Sequence, residues 1–158
     1  MKRAIRVGFC FGIPSGIITT LGLMVGLNSS TQSQLVVIGG ILTIAIADSM
    51  SDAMGIHISQ ESENHLTQND VWKSTFCTFI AKFMFSIIFI FPILIFSLKT
   101  AIIISILIGI YLIFLLSLYI ARERKENPLI IISEHILITI LVVIFSNFIG
   151  LWVSSVFG

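Results

Sequence analysis

The stretch Ile46-Ala-Asp-Ser-Met-Ser-Asp-Ala-Met-Gly-Ile-His-Ile-Ser-Gln-Glu-Ser-Glu-Asn-His65 begins inside an apolar run and ends in a polar loop. Asp48 and Asp52 stand where a bilayer-spanning helix is otherwise apolar. An ionised carboxylate there costs roughly 2.5–3.5 kcal/mol at the helix centre unless it meets a partner, water or an ion. Intramembrane acids are therefore functional candidates. Read as a helix, the stretch has two chemical faces. At about 100° per residue, Asp48, Asp52, Gly55, Ser59 and Glu63 share one stripe. Met50, Met54, His57, Glu61 and His65 share a second, nearly opposite stripe. The first is a face of hard oxygens, suited to hard cations. The second mixes thioether, imidazole and carboxylate, suited to transition metals. The competing reading is structural: the two aspartates hydrogen-bond neighbouring helices and hold a bundle together.

The surrounding chain supports a membrane setting. Of 158 residues, 56% are hydrophobic and only 11% charged. A soluble domain carries about 25% charged residues. Five apolar runs are long enough to span a bilayer, at roughly 7–27, 35–57, 74–97, 101–120 and 129–157. The expected fold is all-α, one polytopic transmembrane domain of five helices over residues 1–158. The start of the chain, with Lys2, Arg3 and Arg6 before an apolar run, has the flank of a signal peptide. That run continues to Leu27 without a small-x-small cleavage site, so it reads as a retained first helix. The two cysteines, Cys10 and Cys77, have neither metal-ligand nor redox spacing and read as small buried apolar residues. A net charge of +1 without a basic cluster gives no sign of nucleic acid as a partner.

Lys and Arg placement predicts orientation. Lys2, Arg3, Arg6, Lys73, Arg122, Arg124 and Lys125 fall on one side of the five spans, and Lys99 alone on the other. The N-terminus is thus expected in the cytoplasm and the C-terminus outside. For a prokaryotic cell that places the chain in the plasma membrane. The loop Gln60–Trp72, with Glu61, Glu63, His65 and Asp70, then faces inward.

Other residues join the candidate list by depth. At 1.5 Å per residue, Asp52 lies about 8 Å and Asp48 about 14 Å from the inner end of the second helix. Lys82 lies about 12 Å from the inner end of the third helix, and Glu134 about 8 Å from that of the fifth. If they meet, they form a buried polar layer in which Lys82 is a counter-ion or a proton-coupling group. Otherwise the Lys82 stem snorkels to the headgroups. In the first helix, Gly8, Gly12 and Gly16 repeat every fourth residue, with Ser15 and Thr19 near the same face. Such a face allows close helix approach, within one protomer or between two. Pro14 and Pro92 are expected to perturb their helices.

Two segments together resemble the vacuolar iron transporter family. Ser15-Gly-Ile-Ile-Thr-Thr-Leu-Gly-Leu-Met-Val-Gly-Leu27 is similar to its first-helix pattern. Ala47-Asp-Ser-Met-Ser-Asp-Ala-Met-Gly55 through Ser62-Glu63 is similar to its second helix. The resemblance implies a homodimer of five-helix protomers that moves a divalent metal, typically Fe²⁺, out of the cytoplasm in exchange for protons. The path runs near the first two helices of both subunits. Three features depart from the family pattern. Ser15 stands at the usual first-helix acid, Asp52 at a position often held by Met, and the acidic cytoplasmic insert shrinks to Gln60–Trp72.

The expectation is a transporter of divalent transition metals such as Fe²⁺ or Mn²⁺, with metal and protons as substrates and no resident cofactor. Its metal-handling residues are Asp48, Asp52, Glu63, Glu61, His57, His65 and Met54. Lys82 and Glu134 complete the polar layer, and Gly12, Ser15, Gly16 and Thr19 line the packing seam or pathway. Two other classes compete. Asp48-x-x-x-Asp52 matches half of the paired-Asp signature of lipid head-group transferases that use CDP-alcohols, but the other half is absent. A non-transporting structural or accessory subunit would use the same acids for assembly.

Overall fold

A computed structural model describes residues 2–63 and 65–158. The element order is α1 (Lys2–Thr31), α2 (Gln34–Glu61), α3 (Gln68–Ile87), α4 (Ile90–Ile95), α5 (Leu98–Arg124) and α6 (Pro128–Phe157), with no strand among the described residues. Five helical segments are long and apolar enough to cross a membrane: Arg3–Thr31, Gln34–Glu61, Gln68–Ile95, Leu98–Arg124 and Pro128–Phe157. Each begins before the apolar stretch that marks it, and the third ends at Ile95, short of the expected 97; capping groups in the polar connections set several of the starts. Ser33 Oγ accepts from Val36 N, Thr67 Oγ1 from Asp70 N, and Asn127 Oδ1 from Leu129 N with Pro128 following. These bonds satisfy amides that a first helical turn leaves unpaired. At the other end, Lys125 takes a left-handed conformation, φ 56°, and the Glu126 amide donates back to the Ala121 carbonyl. That arrangement closes α5.

The two helix prolines behave differently. Helix α1 continues through Pro14. The third span breaks at Ile88–Phe89, dividing α3 from α4. Pro92 explains the break, since its ring removes an N–H and crowds the carbonyl four residues earlier, that of Ile88. The Ile88 carbonyl instead accepts from Phe91 N in a tighter turn.

Helix α1 is the centre of the bundle and packs against α2, α3, α5 and α6. Its Ile17, Leu21 and Met24 meet Val37 and Ile41 of α2, Phe89 and Ile93 around α4, and Ala101, Ile102 and Ile113 of α5. The glycine stripe of α1 serves the seam with α3. A Cβ on Gly8 would lie 2.5 Å from the Ser74 carbonyl oxygen, on Gly12 2.6 Å from that of Thr78, and on Gly16 2.7 Å from that of Lys82. Only glycine permits this approach, and the matched steps of four show that α1 and α3 run parallel. Further along α1, Gly22 and Gly26 face Val142 and Ser146 of α6, and Ser29 Oγ donates to Asn147 Oδ1 at 2.7 Å. The apolar faces left exposed include Phe145, Phe148 and Trp152 of α6. Such faces suit hydrocarbon as solvent.

Candidate functional site

Lys82 sets the site. The α1–α3 seam places its backbone against Gly16, so its stem leaves α3 inside the bundle. It does not snorkel: the side chain is 1% exposed. Its ammonium lies 2.5 Å from Oδ2 of Asp48 and 2.5 Å from Oδ2 of Asp52, the two acids one turn apart on α2. With Asp52 the contact is a hydrogen bond; with Asp48 it is an ion pair whose geometry makes no hydrogen bond. Helix α1 adds the third side. Ser15 Oγ donates to Asp52 Oδ2 at 2.6 Å, and Thr19 Oγ1 donates to the Ser15 carbonyl at 2.7 Å. Gly12 and Gly16 thus act in packing, and Ser15 in the site itself.

The charges do not balance. Two carboxylates face one ammonium, which leaves one surplus negative charge when all three are ionised. The carboxylates also keep access to the outside, with 31% of the Asp48 side chain and 22% of Asp52 exposed. On the N-terminal side of the bundle, Ser59 and Gln60 of α2 and Glu63 just beyond its end line a cleft of about 350 Å³ with Arg3, Val7 and Asp70. Ser59 belongs to the same helical stripe as the aspartates. Between them a Cβ on Gly55 would meet nothing within 4 Å. Ser59 thus lies two turns below Asp52 on the same face, between the cleft and the triad.

The remaining expected ligands do not assemble with these acids. Glu63 and His65 pair with each other at 3.2 Å on the surface. His57 Nδ1 lies 3.0 Å from Thr75 Oγ1, whose own proton goes to the Val71 carbonyl at 2.8 Å. The imidazole therefore donates there, with its ring edge against Trp72. Glu61 is 4.0 Å from His57 Nε2 and accepts from Gln68. Met54 is 56% exposed on the opposite side of α2. Among the described residues no three His, Cys, Asp or Glu side chains are arranged to hold a metal. Of the seven candidate metal-handling residues, the structure brings together Asp48 and Asp52, with Lys82 between them, and leaves the other five apart from that pair. One reason is distance along the chain: α2 ends at Glu61, more than two turns beyond Asp52, and Glu63 lies past that end. Glu134 is also outside the layer. It is exposed on α6, while its neighbour His135 turns inward to Ser117 Oγ at 2.8 Å. Cys10 and Cys77 are free thiols, half-buried rather than fully buried.

Sequence reasoning missed several buried hydroxyls. Ser74 Oγ donates to Gln60 Oε1 across α2 and α3 just below the site. Ser49 Oγ and Thr20 Oγ1 are buried without a hydrogen-bond partner among the described residues. Ser49 follows Asp48 directly, and four-residue spacing from the apolar positions Ile41 and Ala45 was the available signal for its burial.

No family model, no curated protein and no solved structure matches the chain. Fold and site together define its class: a multi-pass, all-helical integral membrane protein with five candidate spans and a buried carboxylate–lysine cluster.

Proposed function

We propose that the chain is a divalent-cation transporter whose exchange site is Asp48, Asp52 and Lys82. The observation that carries this reading is the unbalanced, partly accessible triad. A surplus negative charge in a low-dielectric bundle attracts a proton or metal cation, and Lys82 is the resident cation a metal must displace. Carboxylate oxygens suit hard divalent ions such as Mn²⁺, and Fe²⁺ is the ion that the family resemblance implies. A metal entering between the two acids favours both in their ionised form, so it expels a bound proton. Proton return loosens the metal, which gives exchange if the site opens alternately to the two sides. The vacuolar iron transporter resemblance fits this scheme. Ser15, standing at the position of the family acid, still serves the cluster through its bond to Asp52. The proposal places the chain in the plasma membrane of a prokaryotic cell, N-terminus in the cytoplasm, with metal moving outward.

A second copy belongs to the same proposal. Gly39, Thr43, Ala47, Ser51 and Gly55 form an exposed stripe of small residues, one per turn, beside the acids on α2. In lipid such a stripe favours close helix pairing. Two copies meeting there bring their acid clusters towards one another across the α2 pair.

Uptake into proteoliposomes, compared across Fe²⁺, Mn²⁺, Co²⁺ and Ca²⁺, tests the class. Uptake of Fe²⁺ and Mn²⁺ above that of protein-free vesicles is expected. Uptake equal to those vesicles for all four ions would sink it.

A further inference from the structure

A second site lies away from the triad, where α1 and α5 part near the N-terminal end of the bundle. They leave a cleft of about 730 Å³, within the roughly 300–1,000 Å³ range of small-molecule sites. Arg3, Arg6 and Glu123 stand at its mouth, and Phe9, Ile13 and Leu116 line its depth. Arg6 to Ile13 and Glu123 to Leu116 each cover seven residues, so the cleft reaches about 10 Å into the bilayer. Its amphipathic form, charged at headgroup level and apolar below, matches a lipid rather than a water-soluble ligand.

The mouth selects among lipids by charge. Arg6 Nη1 donates to Glu123 Oε2 at 2.9 Å, bridging the two helices. Arg3 has no carboxylate within ion-pair distance among the described residues. Within this mouth two guanidiniums face one carboxylate, Glu123, while Glu63 and Asp70 border Arg3 from the neighbouring cleft on its other side. Bilayer hydrocarbon is as apolar as the cleft walls, so tail burial alone gives little preference for the cleft over bulk lipid. Discrimination rests on the headgroup. Basic pockets between membrane helices have this effect on anionic lipids.

We propose that the α1–α5 cleft binds one anionic phospholipid from the leaflet on the N-terminal side, its phosphate on Arg3 and Arg6 and one acyl chain along Phe9, Ile13 and Leu116. The lipid proposal does not depend on metal transport, although Arg3 also borders the acidic cleft.

Native mass spectrometry of the full chain, with phosphatidylglycerol and phosphatidylcholine supplied in equal amounts, provides the test. The wild type is expected to retain one phosphatidylglycerol with about fivefold preference, the effect of one basic side chain at a lipid surface. Arg3→Gln should bring the preference close to unity, and Glu123→Gln should raise it. Arg124→Gln, whose side chain pairs with Glu126 instead of lining the cleft, should leave it unchanged. Leu116→Trp, which fills the cleft without altering charge, should remove the retained lipid. Equal retention of both lipids by the wild type would overturn the proposal, as would equal losses in Arg3→Gln and Arg124→Gln. A cleft occupied by a second copy would appear as a dimer lost on Leu116→Trp with no lipid preference, and that too contradicts the proposal.

Discussion

At the scale of single residues, Lys82 is the point on which the bundle's electrostatics turn. Its ammonium offsets two acids that otherwise repel one another in a medium with little screening. Removing one partner of a buried ion pair costs about 3–5 kcal/mol, because the remaining charge is left without compensation. Lys82→Met should therefore lower the unfolding temperature in detergent. The triple neutral variant with Asp48→Asn and Asp52→Asn should recover most of the loss. A Lys82→Met protein that melts like the wild type would show that the triad carries no structural weight. Between the acids, Asp52→Asn should cost more than Asp48→Asn. Asp52 accepts hydrogen bonds from both Lys82 and Ser15, whereas Asp48 has only the ion pair.

At the scale of elements, the two stripes of small residues divide the work. The α1 stripe is committed to α3, and a side chain at Gly12 would enter the space of the Thr78 carbonyl and Ala81. Gly12→Leu should wedge the helices apart and, by moving Lys82 away from α2, abolish transport as well as lower stability. The α2 stripe faces outward, and a side chain at Gly39 or Gly55 meets nothing within 4 Å in the protomer. Gly39→Leu should keep the protomer's melting temperature and lose only dimer cross-links made through α2. Loss of protomer stability in both variants alike would refute this division. The α1 periodicity was legible in the sequence, but its partner was not. Glycine spacing says that some backbone comes close, while the identity of that backbone is fixed by tertiary packing. The break at Ile88 was only half legible: Pro92 signals a disturbance, and packing of α4 on α5 decides where the chain resumes.

At the scale of the whole molecule, the proposed orientation rests on lysine and arginine placement and is open to direct labelling. In a cysteine-free background, an impermeant thiol reagent applied outside cells should modify Ser30→Cys and spare Asn69→Cys. The opposite pattern would invert the molecule and put the acidic cleft outside. Five spans were readable because apolar runs of spanning length are hard to confuse with anything else. The cluster was readable through depth. Counted along the helices, Lys82 falls between the levels of Asp52 and Asp48. Its ammonium also lies between their carboxylates in space. Glu134 shows the limit of that argument. Depth along a helix says nothing about azimuth, and α6 turns this acid away from the cluster while His135 takes the inward position. His57 and Met54 lie on α2 as read but meet other partners, whereas α2 ends at Glu61, so the helical stripes do not extend to Glu63 and His65, which pair in the loop beyond it.

The central claim is that metal crosses the membrane by exchange at the aspartate pair. The most direct measurement is Mn²⁺ flux into proteoliposomes loaded with a pH-sensitive dye, for wild type and for Asp52→Asn protein of normal monodispersity. The account predicts that wild-type Mn²⁺ flux moves protons in the opposite direction and is accelerated by an opposing proton gradient. It predicts that Asp52→Asn abolishes both signals together. Mn²⁺ flux that persists in Asp52→Asn, or wild-type flux that leaves the dye unchanged, would contradict it.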